Sequence, residues 1–221
     1  MSLEDLRSRL LCKAPCDCTH DGVAPKLVVV TGGPGAGKTA LLETVRRQLC
    51  RHVAVLPEAA TILFGGGFPR SAEPPAQQAA QRAIFNVQRQ LERLAIDLHV
   101  ARVILCDRGT IDGAAYWSGE PGGLWRDVGT SLDDELAHYA AVLHLRVPAP
   151  SRYDVSNHLR IESAVEAAKI DDKILEVWGD HPRRFVIPDA TDFVEKVTRA
   201  TEVIRGELPA CCRRASLGAA A

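Results

Sequence analysis

No stretch of this 221-residue chain approaches the roughly 18 consecutive apolar residues that a membrane-spanning helix needs. The opening residues MSLEDLRSRLLCKAPCDC are charged and lack an apolar signal core, so secretion is not expected. An excess of one charge is missing too. Lys and Arg total 27 against 28 Asp and Glu, which argues against an electrostatic surface for nucleic acid. No internal repeat is visible, so a solenoid or propeller is excluded. Seven cysteines, an odd number, suit a reducing cytosol better than a disulfide framework. What remains is average globular content, 46% hydrophobic and 25% charged, at a length suited to one domain with tails. A cytoplasmic location is expected.

The pattern along the chain alternates strands with helices. Lys26-Leu27-Val28-Val29-Val30-Thr31 is a β-branched run bounded by Pro25 and by glycines, as in a buried parallel strand. Thr39 to Cys50 has helical spacing. His52 to Leu56 is a second strand stopped by Pro57, and Phe64 to Pro69 with Glu73-Pro74-Pro75 reads as loop. A long amphipathic helix is expected from Gln77 to about Val100. Arg102 to Cys106, Ala141 to Val147 and Arg184 to Ile187 supply three more strands. Val155 to Trp178 reads as a charged helical lid, bent near Ile170-Asp171-Asp172, and Asp192 to Arg205 as a last helix. The fold class is therefore α/β, a three-layer sandwich around a five-stranded parallel sheet. The expected organisation is a flexible lead over 1–25, one domain over 26–208 with its lid at about 151–180, and a tail over 209–221.

Gly32-Gly33-Pro34-Gly35-Ala36-Gly37-Lys38-Thr39 fits the phosphate-loop pattern G-x-x-x-x-G-K-[ST] in its required place, after a strand and before a helix. Glycines let successive backbone N–H groups turn inward as an anion nest, and the helix N-terminus adds partial positive charge. Lys38 is placed to reach the β- and γ-phosphates, and the Thr39 hydroxyl to ligate Mg²⁺. Asp107 ends the apolar run VILCD, so it either organises the metal beside Thr39 or caps the following turn. Arg108 lies near the phosphates or forms a surface ion pair. Glu58 follows the second strand, at the edge where open α/β sheets bind ligands. It either accepts a proton from an acceptor hydroxyl or serves the first turn of a helix.

In the lid, Arg160 is placed to neutralise charge on a transferring phosphoryl group. The competing reading pairs Arg152 and Arg160 with Glu162, Glu166, Asp171 and Asp172 on a solvated helix face. Phe64, Phe68, Arg70 and Gln88 are candidates for an acceptor pocket.

The blocks TGGPGAGKT, LPEAATILFGGGFPR, RAIFNVQRQLE, ILCDRGTIDGAAYW, LRIESAVEAAKID and HPRRF together resemble the kinase-like, AAA-type "predicted ATPase" family of P-loop proteins. The resemblance spans about residues 26–208. That family is similar to nicotinamide riboside kinases and to nucleoside and nucleotide kinases. The resemblance implies ATP with Mg²⁺, a central parallel sheet and a lid. It matches Glu58 to the base that ends the second strand in nucleoside kinases, Asp107-Arg108 to the acidic-Arg pair after the third, and Arg160 to a lid arginine. Nucleoside kinases carry Glu-Arg-Ser where this chain has Asp107-Arg108-Gly109, a departure that counts against a deoxyribonucleoside acceptor.

The expected function is an ATP-dependent phosphotransferase acting on a small hydroxyl or phosphate acceptor. The alternative is an ATPase or GTPase that works as a nucleotide-dependent binding module. Neither the guanine-reading Asn/Thr-Lys-x-Asp nor an L-S-G-G-Q signature occurs, which favours ATP and excludes a transporter ATPase. Cys12, Cys16, Cys18 and His20 offer enough ligands for Zn²⁺, but their irregular spacing favours a reduced tail. Cys50 and Cys106 read as small buried apolar residues, Cys211-Cys212 as a tail feature, and the RRAS tail as a chance match to a phosphorylation site.

Overall fold

The computed structural model describes residues 3–16, 24–149, 163–190 and 192–215. Among these, five strands form one all-parallel sheet in the order β2-β3-β1-β4-β5. They are β1 (Lys26–Thr31), β2 (Val53–Leu56), β3 (Val103–Asp107), β4 (Ala141–Leu145) and β5 (Arg184–Ile187). β1 is central because every residue after Lys26 in it is buried. Its side chains alternate between two cores, as a period of two requires. Val28 and Val30 face Leu41, Leu42 and Val45 of α2 (Lys38–Gln48) and Val197, Ala200 and Ile204 of α9 (Phe193–Glu207). Leu27 and Val29 face the opposite core, with Ala95 of α4 (Pro74–Asp97) and Ile174 of α8 (Ala164–Val177).

From β1 the chain first builds one half of the sheet, β2 and β3, and then the other, β4 and β5. The carboxyl end of β1 is thus a topological switch point, where connections leave in opposite directions and open a crevice. The phosphate-loop residues occupy that crevice.

Three expectations about local structure are revised. α4 begins at Pro74, not at Gln77, because Pro74 and Pro75 stand at the first helical positions, where a missing N–H costs nothing. Phe64 and Gly65, expected to begin a loop, are instead the last residues of α3 (Ala59–Gly65). The bend expected near Asp171 is absent. α8 runs unbroken from a capping box in which Ser163 and Glu166 satisfy each other's backbone amides.

The lead and the tail also hold structure within the described residues. α1 (Leu3–Leu10) precedes a segment whose Cys12 N–H donates to Val53 O at 2.9 Å and whose Ala14 N–H donates to Leu49 O at 3.0 Å. α10 (Ala210–Ala215) brings Cys212 into the same core. Short helices α5 (Asp112–Ala115), α6 (Gly123–Val128) and α7 (Leu132–His138) bridge β3 to β4. None of the described helices is long and apolar enough to cross a membrane.

Candidate active site

The loop between β1 and α2 takes its shape from glycine. Gly32 has φ +136°, and a Cβ there would lie 2.1 Å from Leu145 O. Gly37 precedes α2 with φ +93°, and its Cβ would strike Phe193 at 2.6 Å. At Gly32 backbone atoms leave no room for a Cβ, and at Gly37 the left-handed φ strains any side chain. The Lys38 ammonium folds back over the loop and donates to Gly32 O at 2.8 Å and Gly33 O at 3.2 Å. Burial, then the neighbouring Arg108 cation, pull its pKa down to about 8 against the opposing pull of Asp107, Glu58 and Asp112. Thr39 lies exposed on the first turn of α2.

β3 pairs with β1 so that Asp107 stands opposite Val30, at the same edge as the loop. Its Oδ1 is buried and has no hydrogen-bond partner among the described residues. Burial raises the Asp107 pKa to about 6, Lys38 restrains the rise, and Glu58 adds to it. An orphaned buried oxygen beside further carboxylates, at a phosphate loop, is a donor set that fits a hard divalent cation.

Arg108 follows in the left-handed region at φ 71°, a strained conformation for a residue with a side chain. Two carboxylates hold it there. Its Nε donates to Glu58 Oε1 at 2.7 Å and its Nη1 to Asp112 Oδ2 at 3.1 Å. Glu58 therefore serves Arg108, and it also accepts from the Thr61 hydroxyl one helical turn on. Burial opposes ionisation of Glu58, but Arg108 and Thr61 outweigh it and hold the carboxyl below its ordinary range. Gly109 is dictated by packing, because a Cβ would sit 2.8 Å from both the Trp178 ring and Val29. The departure from Glu-Arg-Ser thus has a steric cause in this chain.

Glu58, Arg108 and Asp112 open into a cleft of about 600 Å³ that reaches from Pro34 of the loop to Gln88 of α4. Phe64, Arg70, Gln81, Ile84 and Tyr116 complete its polar and apolar lining. Of the expected pocket residues, Phe64, Arg70 and Gln88 line the cleft, and Phe68 is not among its lining residues. Arg160 and Arg152 lie outside the described residues.

Two carboxylates that the sequence reading did not place at the phosphate loop, Asp112 and Asp171, hold the site together. Asp112 accepts from Thr31 Oγ1 and from Trp178 Nε1, both at 2.6 Å, so it ties the end of β1 and the end of α8 to Arg108. Asp171 is fully buried and accepts from the Gly33 amide at 2.7 Å. It also lies 2.9 Å from His144 Nε2 and 3.2 Å from Arg146 Nε. Burial opposes its ionisation, but His144, the Gly33 amide and Arg146 prevail and hold its pKa below the usual value. Of the four lid acids set against Arg152 and Arg160, this one instead faces the phosphate loop.

A phosphate loop at the switch point of a parallel sheet, with carboxylates on the neighbouring strand ends, defines a kinase-like P-loop NTPase domain. A family model for the AAA domain matches residues 27–196, and the chain belongs to that family. Among curated relatives, the thymidylate kinase of Lacticaseibacillus casei (strain BL23) is 26% identical over 201 residues, covering 78% of this chain and 91% of the relative. The thymidylate kinase of Lacticaseibacillus paracasei matches to the same extent. Thymidylate kinase from Candida albicans shares the fold with a TM-score of 0.58 at 16% identity, over 83% of this chain and 92% of that one. NadR in complex with NAD and AMP-PNP shares it at 0.56 and 13% identity, over 81% of this chain and 48% of NadR.

Proposed function

We propose that the protein transfers a phosphoryl group from Mg·ATP to a small, cytosolic nucleoside- or nucleotide-like acceptor. The observation that carries the proposal is the cleft of about 600 Å³ that begins at the phosphate loop and is lined by Glu58, Arg108 and Asp112. Its volume suits one small ligand, and its lining mixes ring faces with amides and charge. Relatives named thymidylate kinase, and a neighbour that binds NAD and AMP-PNP, support an adenine nucleotide as donor and a nucleotide-type acceptor.

In this reading Lys38 and the amides of residues 32–39 hold the donor phosphates. Thr39 and Asp107 would hold Mg²⁺, which would supply charge to offset that of the phosphate oxygens. Arg108, prepositioned by its two carboxylates, offers its guanidinium where negative charge develops. Arg160 adds a second cation from the lid. Glu58 is ionised well below neutral pH, so its part is chiefly to accept a hydrogen bond from the acceptor and aim it. A weak base suffices, because phosphoryl transfer runs through a loose transition state in which positioning dominates.

The test follows ADP release and phosphorylated product together, with nucleosides, vitamin ribosides and nucleoside monophosphates as acceptors and Lys38→Ala as the blank. The expected result is a panel member that both accelerates ADP release and gains phosphate. ADP release that no acceptor changes would overturn the kinase reading in favour of a nucleotide-dependent binding module.

A further inference from the structure

We propose that Cys16, Cys50, His52 and Cys212 form a structural Zn²⁺ site at the amino edge of the sheet, independent of the nucleotide site. The four side chains come from three remote parts of the chain, yet their ligand atoms all lie within 4.8 Å of one another. Cys16 Sγ is 3.9 Å from Cys212 Sγ, Cys50 Sγ is 3.7 Å from His52 Nδ1, and Cys212 Sγ is 3.4 Å from the same nitrogen. A tetrahedron with Zn–S of about 2.3 Å and Zn–N of about 2.05 Å has edges of about 3.8 Å between sulfurs and about 3.6 Å between sulfur and nitrogen. The three observed edges scatter about those values.

The donor chemistry points to the same ion. Three thiolates and one imidazole in a tetrahedral arrangement select zinc over the hard, oxygen-seeking cations. Four protein ligands leave no open position for water, which marks a structural site. Binding is a ligand exchange without redox chemistry: three S–H protons pass to solvent, and His52 offers the lone pair of Nδ1. All three cysteines are buried. A cluster of neutral thiols there gains little, whereas thiolates on a cation gain full coordination.

The backbone presents the ligands in advance of any metal. Ala14 forms a bridge with Cys50, and Leu11 with Ala54, so the lead is laid along α2 and β2. The His52 carbonyl accepts from the amides of Arg102 and Val103, which fixes the turn before β2. Cys212 arrives on α10. Zinc would therefore pin both ends of the described chain to the start of β2. Glu58 lies past the other end of that four-residue strand, which itself spans about 13 Å.

Among the described residues, Cys12 and Cys106 are buried thiols outside the quartet and serve as controls. The experiment measures zinc per chain in the untagged full-length protein after purification and after dialysis against a mild chelator. It also records the visible spectrum of the Co²⁺-exchanged protein. The expected result is about one zinc per chain and the intense d–d bands of tetrahedral cobalt with sulfur-to-metal charge transfer. Cys16→Ser and Cys212→Ser should each weaken retention by at least about tenfold, while Cys12→Ser and Cys106→Ser retain the metal. Should both ligand variants misfold, titration of metal-free wild type with Zn²⁺ against a chromophoric chelator decides the matter. Wild type that takes up no zinc, cobalt bands that survive in the Cys16→Ser/Cys212→Ser double variant, or a Cys16–Cys212 disulfide in the reduced-buffer preparation would each overturn the site.

Discussion

Asp107 is held in a place that suits a metal better than it suits the empty protein. Its pKa is raised from 3.8 to about 6, chiefly by burial, so the folded state holds this proton more tightly than the unfolded chain does. Stability from this residue is then fully present below pH 3.8 and is lost as pH rises through about 6. Asp107→Asn removes that loss. Near neutral pH the substitution should stabilise the ligand-free protein by about 1–3 kcal/mol, and the gain should vanish in melts taken at or below pH 3.8. The same substitution should weaken Mg²⁺-dependent nucleotide binding. Loss of stability at neutral pH would show that Asp107 makes a favourable contact in the empty site. Glu58 behaves in the opposite way, since Arg108 and Thr61 favour its charged form. Glu58→Gln keeps the shape and removes the charge. Product formation should fall by about 10²-fold or more while ATP affinity, read by equilibrium titration, changes little. Equal losses of both would place Glu58 in nucleotide binding.

At the scale of elements, the site depends on how α8 meets the phosphate loop. Ala167, Asp171, Ile174 and Trp178 are the buried positions of this segment, and they recur at helical spacing. That stripe was present in the sequence, but the surrounding charges left Asp171 readable as one acid of a solvated helix face. Asp171 sits within the apolar stripe, and only the third dimension supplies its partners, Gly33, His144 and Arg146. Asp112 was nearer to hand, four residues after Arg108 on the first turn past β3. The phosphate loop, by contrast, was legible in full, because its chemistry depends on consecutive backbone amides and so on contiguous residues. Glu58, Asp107 and Arg108 were legible as strand-end residues, although their mutual pairing was not. Asp171→Ala should destabilise the fold by about 3–5 kcal/mol, since it strands His144 and the Gly33 amide. The depressed pKa sets the sign. The contribution of Asp171 is present above its unfolded value of 3.8 and fades as pH falls below it, so variant and wild type should converge in acid. Asp172, exposed and paired with Arg146, is the control, and its alanine variant should change stability by less than about 0.5 kcal/mol.

For the whole molecule, the switch point collects unfavourable charge that a ligand can offset. The sheet order brings the ends of β1, β2 and β3 together, and with them Lys38, Glu58, Asp107 and Arg108. Burial disfavours the charged forms of Lys38 and Asp107 alike, so the empty domain is folded around a strained centre. Bound Mg·ATP would bring phosphate oxygens to Lys38 and a cation to Asp107, and it would bind only the folded state. At a hundred times its dissociation constant such a ligand adds about 2.7 kcal/mol. In a domain of this size that amounts to a rise of roughly 5–10 °C in Tm. Lys38→Ala should lose the rise with Mg·ATP, while the melt of the ligand-free protein stays close to wild type because one buried cation has gone along with its two loop hydrogen bonds. A rise of equal size in Lys38→Ala would locate nucleotide binding away from the 32–39 loop. That result would detach the cleft beside Glu58 from phosphoryl transfer.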